Sequence, residues 1–404
     1  MAVPALLLDF AIVLIAAEVG GAVFRYLRMP RVVGMLVAGI ALGPFTPGYV
    51  VDPADIQDLA LLGAVFLMFS SGLAFDIRGF RALGAWPFVL AGLGVAFSFA
   101  VGLGLGYLAG LSVLESVFIG LILTSTSTAL GLKFLADSGL GERKGAHLIT
   151  AAILIDDIIA LSLMTVAVGI AGPSPVPLPF LIAGLLGILG LAGLLVFIST
   201  HALPRILRVT EVLSPSSIVM VAVSFALLIS FAFAVLGLPP LVGAFFAGSI
   251  VASTEYGARV TRHIAPVTAI FMAVFFASIG LLINPGTIPG VILLGVILVL
   301  ASVFAKAVPA VAVLRRAAGL GIAAALPLAV VLIPRAEISL IIAQYGVSIG
   351  GTPDLLAIAM FVMIATALLP GALLSLGARL RGTARTPQPD VSDPPSPPSN
   401  GPPK

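Results

Sequence analysis

The sequence has no cysteine, one tryptophan and three histidines, and only 9% of its 404 residues are charged. Without cysteine there are no disulfides and no thiolate metal sites. A typical soluble domain is about 25% charged. With 60% hydrophobic residues and a mean hydropathy of +1.24, this chain has too little polar material for an aqueous surface. It reads as an all-α polytopic membrane protein. The first apolar stretch, "MAVPALLLDFAIVLIAAEVGGAVFRYLR", lacks a basic leader and is long enough to span, so it is expected to be a transmembrane helix and not a cleaved signal.

Thirteen apolar stretches approach the roughly 20 residues a bilayer requires. They run at about 4–24, 32–49, 58–75, 84–108, 113–136, 145–169, 178–200, 215–236, 239–254, 265–283, 288–312, 320–349 and 354–378. Positive charge is missing from every second connection. Arg25, Arg28 and Arg31 follow span one. Arg78 and Arg81 follow span three, and Lys133, Arg143 and Lys144 surround the turn after span five. Arg205 and Arg208, Arg259 and Arg262, Arg315 and Arg316, and the C-terminal group Arg379, Arg381, Arg385 and Lys404 follow spans seven, nine, eleven and thirteen. The even-numbered connections hold Asp52, Asp55, Glu115 and Asp354 and no Lys or Arg. The positive-inside rule then puts the N-terminus outside and the C-terminus in the cytoplasm. Residues 1–381 form one transmembrane domain in this reading. The eight-proline segment 382–404 is expected to be a disordered cytoplasmic tail with no soluble domain after it.

An internal repeat is visible. Gly34, Ala38 and Gly39 in span two match Gly243, Ala247 and Gly248 in span nine, an offset of 248 − 39 = 209. Ser70, Gly72, Leu73 and Asp76 match Ser278, Gly280, Leu281 and Asn284, an offset of 280 − 72 = 208. Spans two and nine are an odd number of crossings apart, so repeats at roughly 32–169 and 239–378 are inverted relative to each other, as in secondary transporters. The same offset carries Thr126 to Arg335. Span five contains the hydroxyl run Thr124, Ser125, Thr126, Ser127, Thr128, which competes with helical backbone bonds. Span twelve contains "LIPRAEISL", where Pro334 removes a helical bond. Both repeats are therefore expected to break a helix at equivalent points.

Charges inside the spans are few and costly. Asp156 and Asp157 are adjacent in span six, Lys306 lies in span eleven, and Arg335 and Glu337 sit at the span-twelve break. Adjacent helical residues point about 100° apart. One aspartate can then face a cavity and bind a cation while the other meets a buried base, for which Lys306 is the best candidate unless it snorkels to the cytoplasmic surface. Two readings stay open for Arg335 and Glu337: a mutual or helix-end structural role, or a part in transport. Glu18 is read as a structural partner, with Arg25 seven residues on. His147, His201 and His263 fall near span ends and read as helix caps. "GLGYLA" at 104–109 fits a loose dinucleotide pattern but lies within a span, without the strand–helix context such a site needs.

The stretches "PRVVGMLVAGIALGP", "LTSTSTALG", "IDDI", "GAFFAG", "VFFASIGLLI" and "RAEISL", with Lys306, resemble the second cation:proton antiporter family of monovalent cation:proton antiporters. That resemblance implies an inverted-repeat fold in which the unwound spans five and twelve cross within a mobile core, usually in a homodimer. It implies that Asp157 carries the cation and proton, that Asp156 pairs with Lys306, and that hydroxyls or carbonyls of Thr124, Ser125, Thr126 and Ser127 assist. The Asp-Asp pair with a lysine is similar to the electrogenic sodium/proton branch. The potassium-efflux branch usually has Gln-Asp and a C-terminal nucleotide-binding domain. The family's frequent Glu in span two is here Met35. The implied ligands are Na+ or another monovalent cation and protons, with no cofactor, no nucleic acid and no enzymatic reaction, in a prokaryotic plasma membrane. Three other classes were weighed against this one. An organic-anion symporter of this architecture usually relies on other polar ligands. An intramembrane aspartyl protease needs its acids on different helices. A channel would be obstructed by a buried lysine.

Overall fold

The computed structural model describes residues 3–27, 29–46, 53–74, 84–171, 215–235, 239–335 and 337–380. The helices there are α1 Val3–Tyr26, α2 Arg31–Leu42, α3 Pro53–Leu73, α4 Trp86–Leu108, α5 Val113–Ile122, α6 Thr128–Asp137 and α7 Ala146–Ala171. Then come α8 Pro215–Val235, α9 Pro240–Ala252, α10 Gly257–Leu281, α11 Ile288–Ala318, α12 Ile322–Val330, α13 Glu337–Ser348 and α14 Asp354–Leu380. Six of these helices are long and apolar enough to cross a membrane. The helices cover twelve of the thirteen expected spans, with α5 and α6 sharing span five and α12 and α13 sharing span twelve. Span seven at 178–200, the basic residues Arg78, Arg81, Arg205 and Arg208, and the tail 382–404 lie outside the described residues.

Local sequence sets the helix ends. The Ser112 hydroxyl accepts from Glu115 N, and the Glu115 carboxylate accepts from Ser112 N at 3.0 Å, a reciprocal cap that starts α5. The same carboxylate accepts from Thr352 Oγ1 at 2.6 Å, which ties the start of α5 to the α13–α14 connection. Proline in the first turn opens α4, α9 and α11, where its missing N–H costs no helical bond. Gly319, at φ +64°, ends α11 in the left-handed conformation that glycine adopts without strain.

The two expected interruptions are present, and they match. Helix ends at Ile122 and Val330 differ by 330 − 122 = 208, and restarts at Thr128 and Glu337 differ by 337 − 128 = 209. These offsets equal those of the glycine motifs.

The helices pack into two groups. One contains α1, α2, α3, α8, α9 and α10, and the other contains α4–α7 and α11–α14. Each group takes equivalent spans from both repeats. In the first group the glycines allow backbone-to-backbone crossing. A Cβ on Gly39 would lie 2.0 Å from Ala277 O, and one on Gly280 would lie 2.8 Å from Gly39 Cα. A Cβ on Gly72 would lie 2.0 Å from Phe245 O, and one on Gly248 would lie 2.1 Å from Phe69 O. Small residues at such crossings let helices associate through dispersion where lipid removes the hydrophobic drive. The repeat maps Gly39 onto Gly248 and Gly72 onto Gly280, so the α2–α10 crossing maps onto α9–α3, as a two-fold relation between the halves requires. Met35 is buried here against Gly21 of α1.

Glu18 accepts from Arg31 Nη2 at 2.5 Å, so its partner is Arg31 at the start of α2 and not Arg25. Seven residues along a helix put Glu18 and Arg25 almost two turns apart, whereas the α1–α2 turn brings Arg31 back alongside.

Replacing Gly39 or Gly248 with Val should push paired helices apart. We expect a loss of about 1–3 kcal/mol, read as a lower midpoint for thermal unfolding in detergent. The same change at Gly104, where a Cβ meets nothing within 4 Å, should leave the midpoint near that of the parent.

Candidate functional site

Asp156 and Asp157 lie in the middle of α7, 1% and 3% exposed. Around them Ile153, Ile155, Ala160 and Leu161 are buried, so neither carboxylate has a polar surface of its own. Ionised groups in such surroundings persist only with specific partners. For Asp156 the main partner is Lys306. Its Nζ donates to Asp156 Oδ2 at 2.5 Å, and Lys306 is 1% exposed, so it does not snorkel to the surface. The lysine stem passes α4 at Gly94, where a Cβ would stand 3.6 Å from Nζ. Thr126 Oγ1 also donates to Asp156 Oδ2, at 2.8 Å.

Asp157 points elsewhere, as adjacent helical positions must. Its Oδ2 accepts from Thr128 Oγ1 at 2.8 Å. Oδ1 of each aspartate makes no hydrogen bond among the described residues. Thr128, at the start of α6, therefore stands against Asp157, and the cavities of about 820 and 240 Å³ are lined by other residues.

The hydroxyl run divides its work residue by residue. Thr124 Oγ1 donates back to Leu121 O at 2.6 Å, occupying a carbonyl at the end of α5. Ser125 Oγ shares a hydrogen bond with Ser339 Oγ at 2.8 Å. Thr126 reaches Asp156. Ser127 Oγ accepts from Leu130 N at 3.3 Å, capping α6, and Thr128 reaches Asp157. The interruptions also bond to each other. Ser127 N donates to Pro334 O at 2.7 Å, and Ser339 Oγ donates to Ile122 O at 2.9 Å.

Arg335 is wholly buried at this junction. Its Nη1 donates to Ser125 O at 2.7 Å, and its backbone N donates to Thr366 Oγ1 at 3.0 Å. Its Nε and Nη2 make no hydrogen bond among the described residues. No Arg335–Glu337 ion pair occurs among the described residues. Glu337 is half-buried in the first turn of α13, where the helix dipole favours an acid. The structure thus brings Asp156, Asp157, Lys306, Thr124–Thr128 and Arg335 to one place. Sequence reading stopped the assisting hydroxyls at Ser127 and passed over Thr128, Ser339 and Thr366. Thr128 was visible as the last member of the run. Thr366 had only the signal of a lone hydroxyl in an apolar span.

Two interrupted helices crossing beside buried carboxylates define a transporter-type site, and comparison with known proteins names its class. Residues 12–377 match the sodium/hydrogen exchanger transmembrane family, and the chain belongs to it. A Bacillus cereus protein described as a probable Na+/H+ antiporter, GerT, is 29% identical over 361 residues, 88% of this chain and 93% of that one. The Na+/H+-K+ antiporter GerN of the same organism is 29% identical over 378 residues, 90% of this chain and 94% of its own. K+ efflux antiporter 5 of Arabidopsis thaliana is also 29% identical, over 69% of this chain and 50% of its own length. The solved structure of the sodium proton antiporter MjNhaP1 from Methanocaldococcus jannaschii has the same fold. Its TM-score is 0.70 at 13% identity, over 95% of this chain and all of that one. The protein is therefore an integral multi-pass membrane protein of the cation/proton antiporter class. These relatives are transporters and not enzymes.

Removing one member of a buried ion pair strands the other. Lys306→Met alone should lower unfolding stability by about 3–5 kcal/mol. Combining it with Asp156→Asn should recover much of that loss. Thermal melts of the parent, both single variants and the double variant measure the coupling. Additive losses would show that the two groups act independently.

Proposed function

We propose that the protein exports Na+, or Li+, in exchange for protons, with Asp157 as the exchanging carboxylate and Asp156 held by Lys306. The observation that carries this reading is the unequal partnering of two neighbouring acids. Asp156 has a cation and a hydroxyl on one oxygen, whereas Asp157 has a single hydroxyl. A carboxylate with spare acceptor capacity can take a proton or a small cation in turn. Carbonyls and hydroxyls of the span-five break supply further hard oxygen ligands, which suit alkali cations.

In the proposed cycle Na+ displaces the Asp157 proton from the cytoplasmic side. A second proton leaves Lys306 or Asp156. The group holding the aspartates moves against the other group, Na+ departs outside, and protons return. One Na+ out for two protons in moves net charge. The separation into two helix groups, with the whole site in one of them, supports this alternating movement. Assembly as a homodimer, a cytoplasmic C-terminus and residence in a bacterial plasma membrane complete the proposal.

Potassium is the second reading. The Na+/H+-K+ antiporter matches this chain at the same 29% identity and similar coverage as the sodium antiporter, and K+ efflux antiporter 5 at the same identity over 69% of it. Proton flux in proteoliposomes, titrated separately with Na+, Li+ and K+, decides between them. Saturation by Na+ or Li+ at lower concentration than K+ is expected, and the reverse order would replace the sodium assignment.

Asp157→Asn should abolish cation-dependent proton flux in this assay, and a variant with normal flux would remove Asp157 from the central role. Clamping the membrane potential at zero should change the exchange rate, whereas equal rates clamped and free would refute charge movement. Thr128→Val should raise the cation concentration for half-maximal flux several-fold, while Thr128→Ser keeps it near the parent value. A shared loss in both variants would mean that Thr128 serves packing alone.

A further inference from the structure

A cavity of about 820 Å³ opens between the start of α4 and the end of α11, remote from the aspartates in its lining residues. Arg315 and Arg316 line it, both exposed, together with the connection after α11 at Gly319. A third cation stands nearby, since a Cβ on Gly319 would lie 3.8 Å from Lys144 Nζ. Neither arginine makes an ion pair or side-chain hydrogen bond among the described residues. The opposite wall is apolar: Trp86, Val89 and Leu93 of α4 are 42%, 39% and 50% exposed.

Two stripes lead away from these cations. On α11, Leu300, Phe304, Val308 and Ala312 recur every four residues and end at Arg316; the first three are 57%, 65% and 53% exposed. On α4, Val89, Leu93 and Phe97 share the same spacing. Positions four apart lie on one face of a helix. From Leu300 to Ala312 the α11 stripe is roughly 18 Å long at helical rise, close to one leaflet of a hydrocarbon core about 30 Å thick.

We propose that this cavity binds the headgroup of an anionic phospholipid of the cytoplasmic leaflet, with its acyl chains lying along the α4 and α11 stripes. The arginines and Lys144 complement a phosphate. The apolar wall and stripes complement the lipid body, which a free anion lacks. With the cytoplasmic C-terminus of the proposed function, on which this inference rests, the arginine-bearing ends face the leaflet that carries anionic lipid, and Trp86, which opens α4 beside them, is the residue type that anchors to headgroups. The lipid rides on the helix that supplies Lys306, ten residues or roughly 15 Å from Arg316. It therefore belongs to the group of helices that carries the site.

Trp86 is the only tryptophan in the chain, so its emission reports on this location without labelling. The full chain would be reconstituted in phosphatidylcholine vesicles and titrated with brominated phosphatidylglycerol or brominated phosphatidylcholine. Preferential quenching by the anionic lipid is expected. Arg315→Gln and Arg316→Gln should each reduce the preference roughly fivefold, and the double variant should nearly abolish it. Arg262→Gln, an exposed arginine in the other helix group, should retain it. Equal quenching by the two lipids would overturn the proposal, as would a double variant with undiminished preference. An Arg262→Gln loss as large as the double variant's would assign the effect to general surface charge. Added inorganic phosphate should leave the preference intact, and its disappearance would make a free anion the ligand. Circular dichroism and gel-filtration profiles confirm folding; should the double variant not fold, the two single variants carry the test.

Discussion

Everything at the centre of this molecule depends on how two broken helices satisfy each other's backbones. Within a membrane an unpaired N–H or carbonyl costs several kcal/mol. A helix interrupted at 123–127 or from 331 to 335 strands several such groups. The breaks lie against each other and exchange bonds: Ser127 N with Pro334 O, Arg335 with Ser125 O, and Ser339 with Ile122 O. Neither interruption would be tolerable alone. Their meeting also sets where charge can be buried: Thr126, which donates to Leu332 O across the junction, and Thr128 are the hydroxyls of the run that reach the aspartates.

The two helix groups meet different mechanical demands. In the group around α3 and α10, glycine crossings bring main chains into direct contact, and close-packed main chains resist deformation. The group around the breaks has close main-chain crossings too, since a Cβ on Gly102 would lie 2.7 Å from Gly120 Cα, and to its apolar core it adds side-chain hydrogen bonds and a buried ion pair. Polar contacts of this kind are directional, so they specify a geometry more than they add net stability.

Much of this architecture was legible in the sequence. Residue-level offsets of 208 and 209 aligned the glycines, and the same offsets predicted both interruptions, because a bilayer leaves helices few ways to vary and makes exceptions conspicuous. Two adjacent acids and one lysine within apolar spans stood out for the same reason, and the cost of burying an unpaired charge made Lys306 the natural partner of Asp156. Orientation within the site was less legible. Thr128 belonged to the same hydroxyl run as Thr126, but which hydroxyl meets which aspartate depends on how α6 docks on α7, a tertiary relation that periodicity does not encode. The pairing of Glu18 with Arg31 depends on tertiary geometry in the same way.

Among the described helices, consecutive ones change group after α3, α7 and α10. After α10 the connection is residues 282–287, six residues between Leu281 and Ile288. It is folded tightly, with Asn284 Oδ1 accepting from Gly286 N at 2.8 Å and a single 3-10 turn at Pro285–Thr287. Pulled fully straight, six residues reach only about 20 Å. This short strap therefore acts as a tether with a known maximum length. In the proposed alternating movement it would set an upper bound on the stroke of one group past the other.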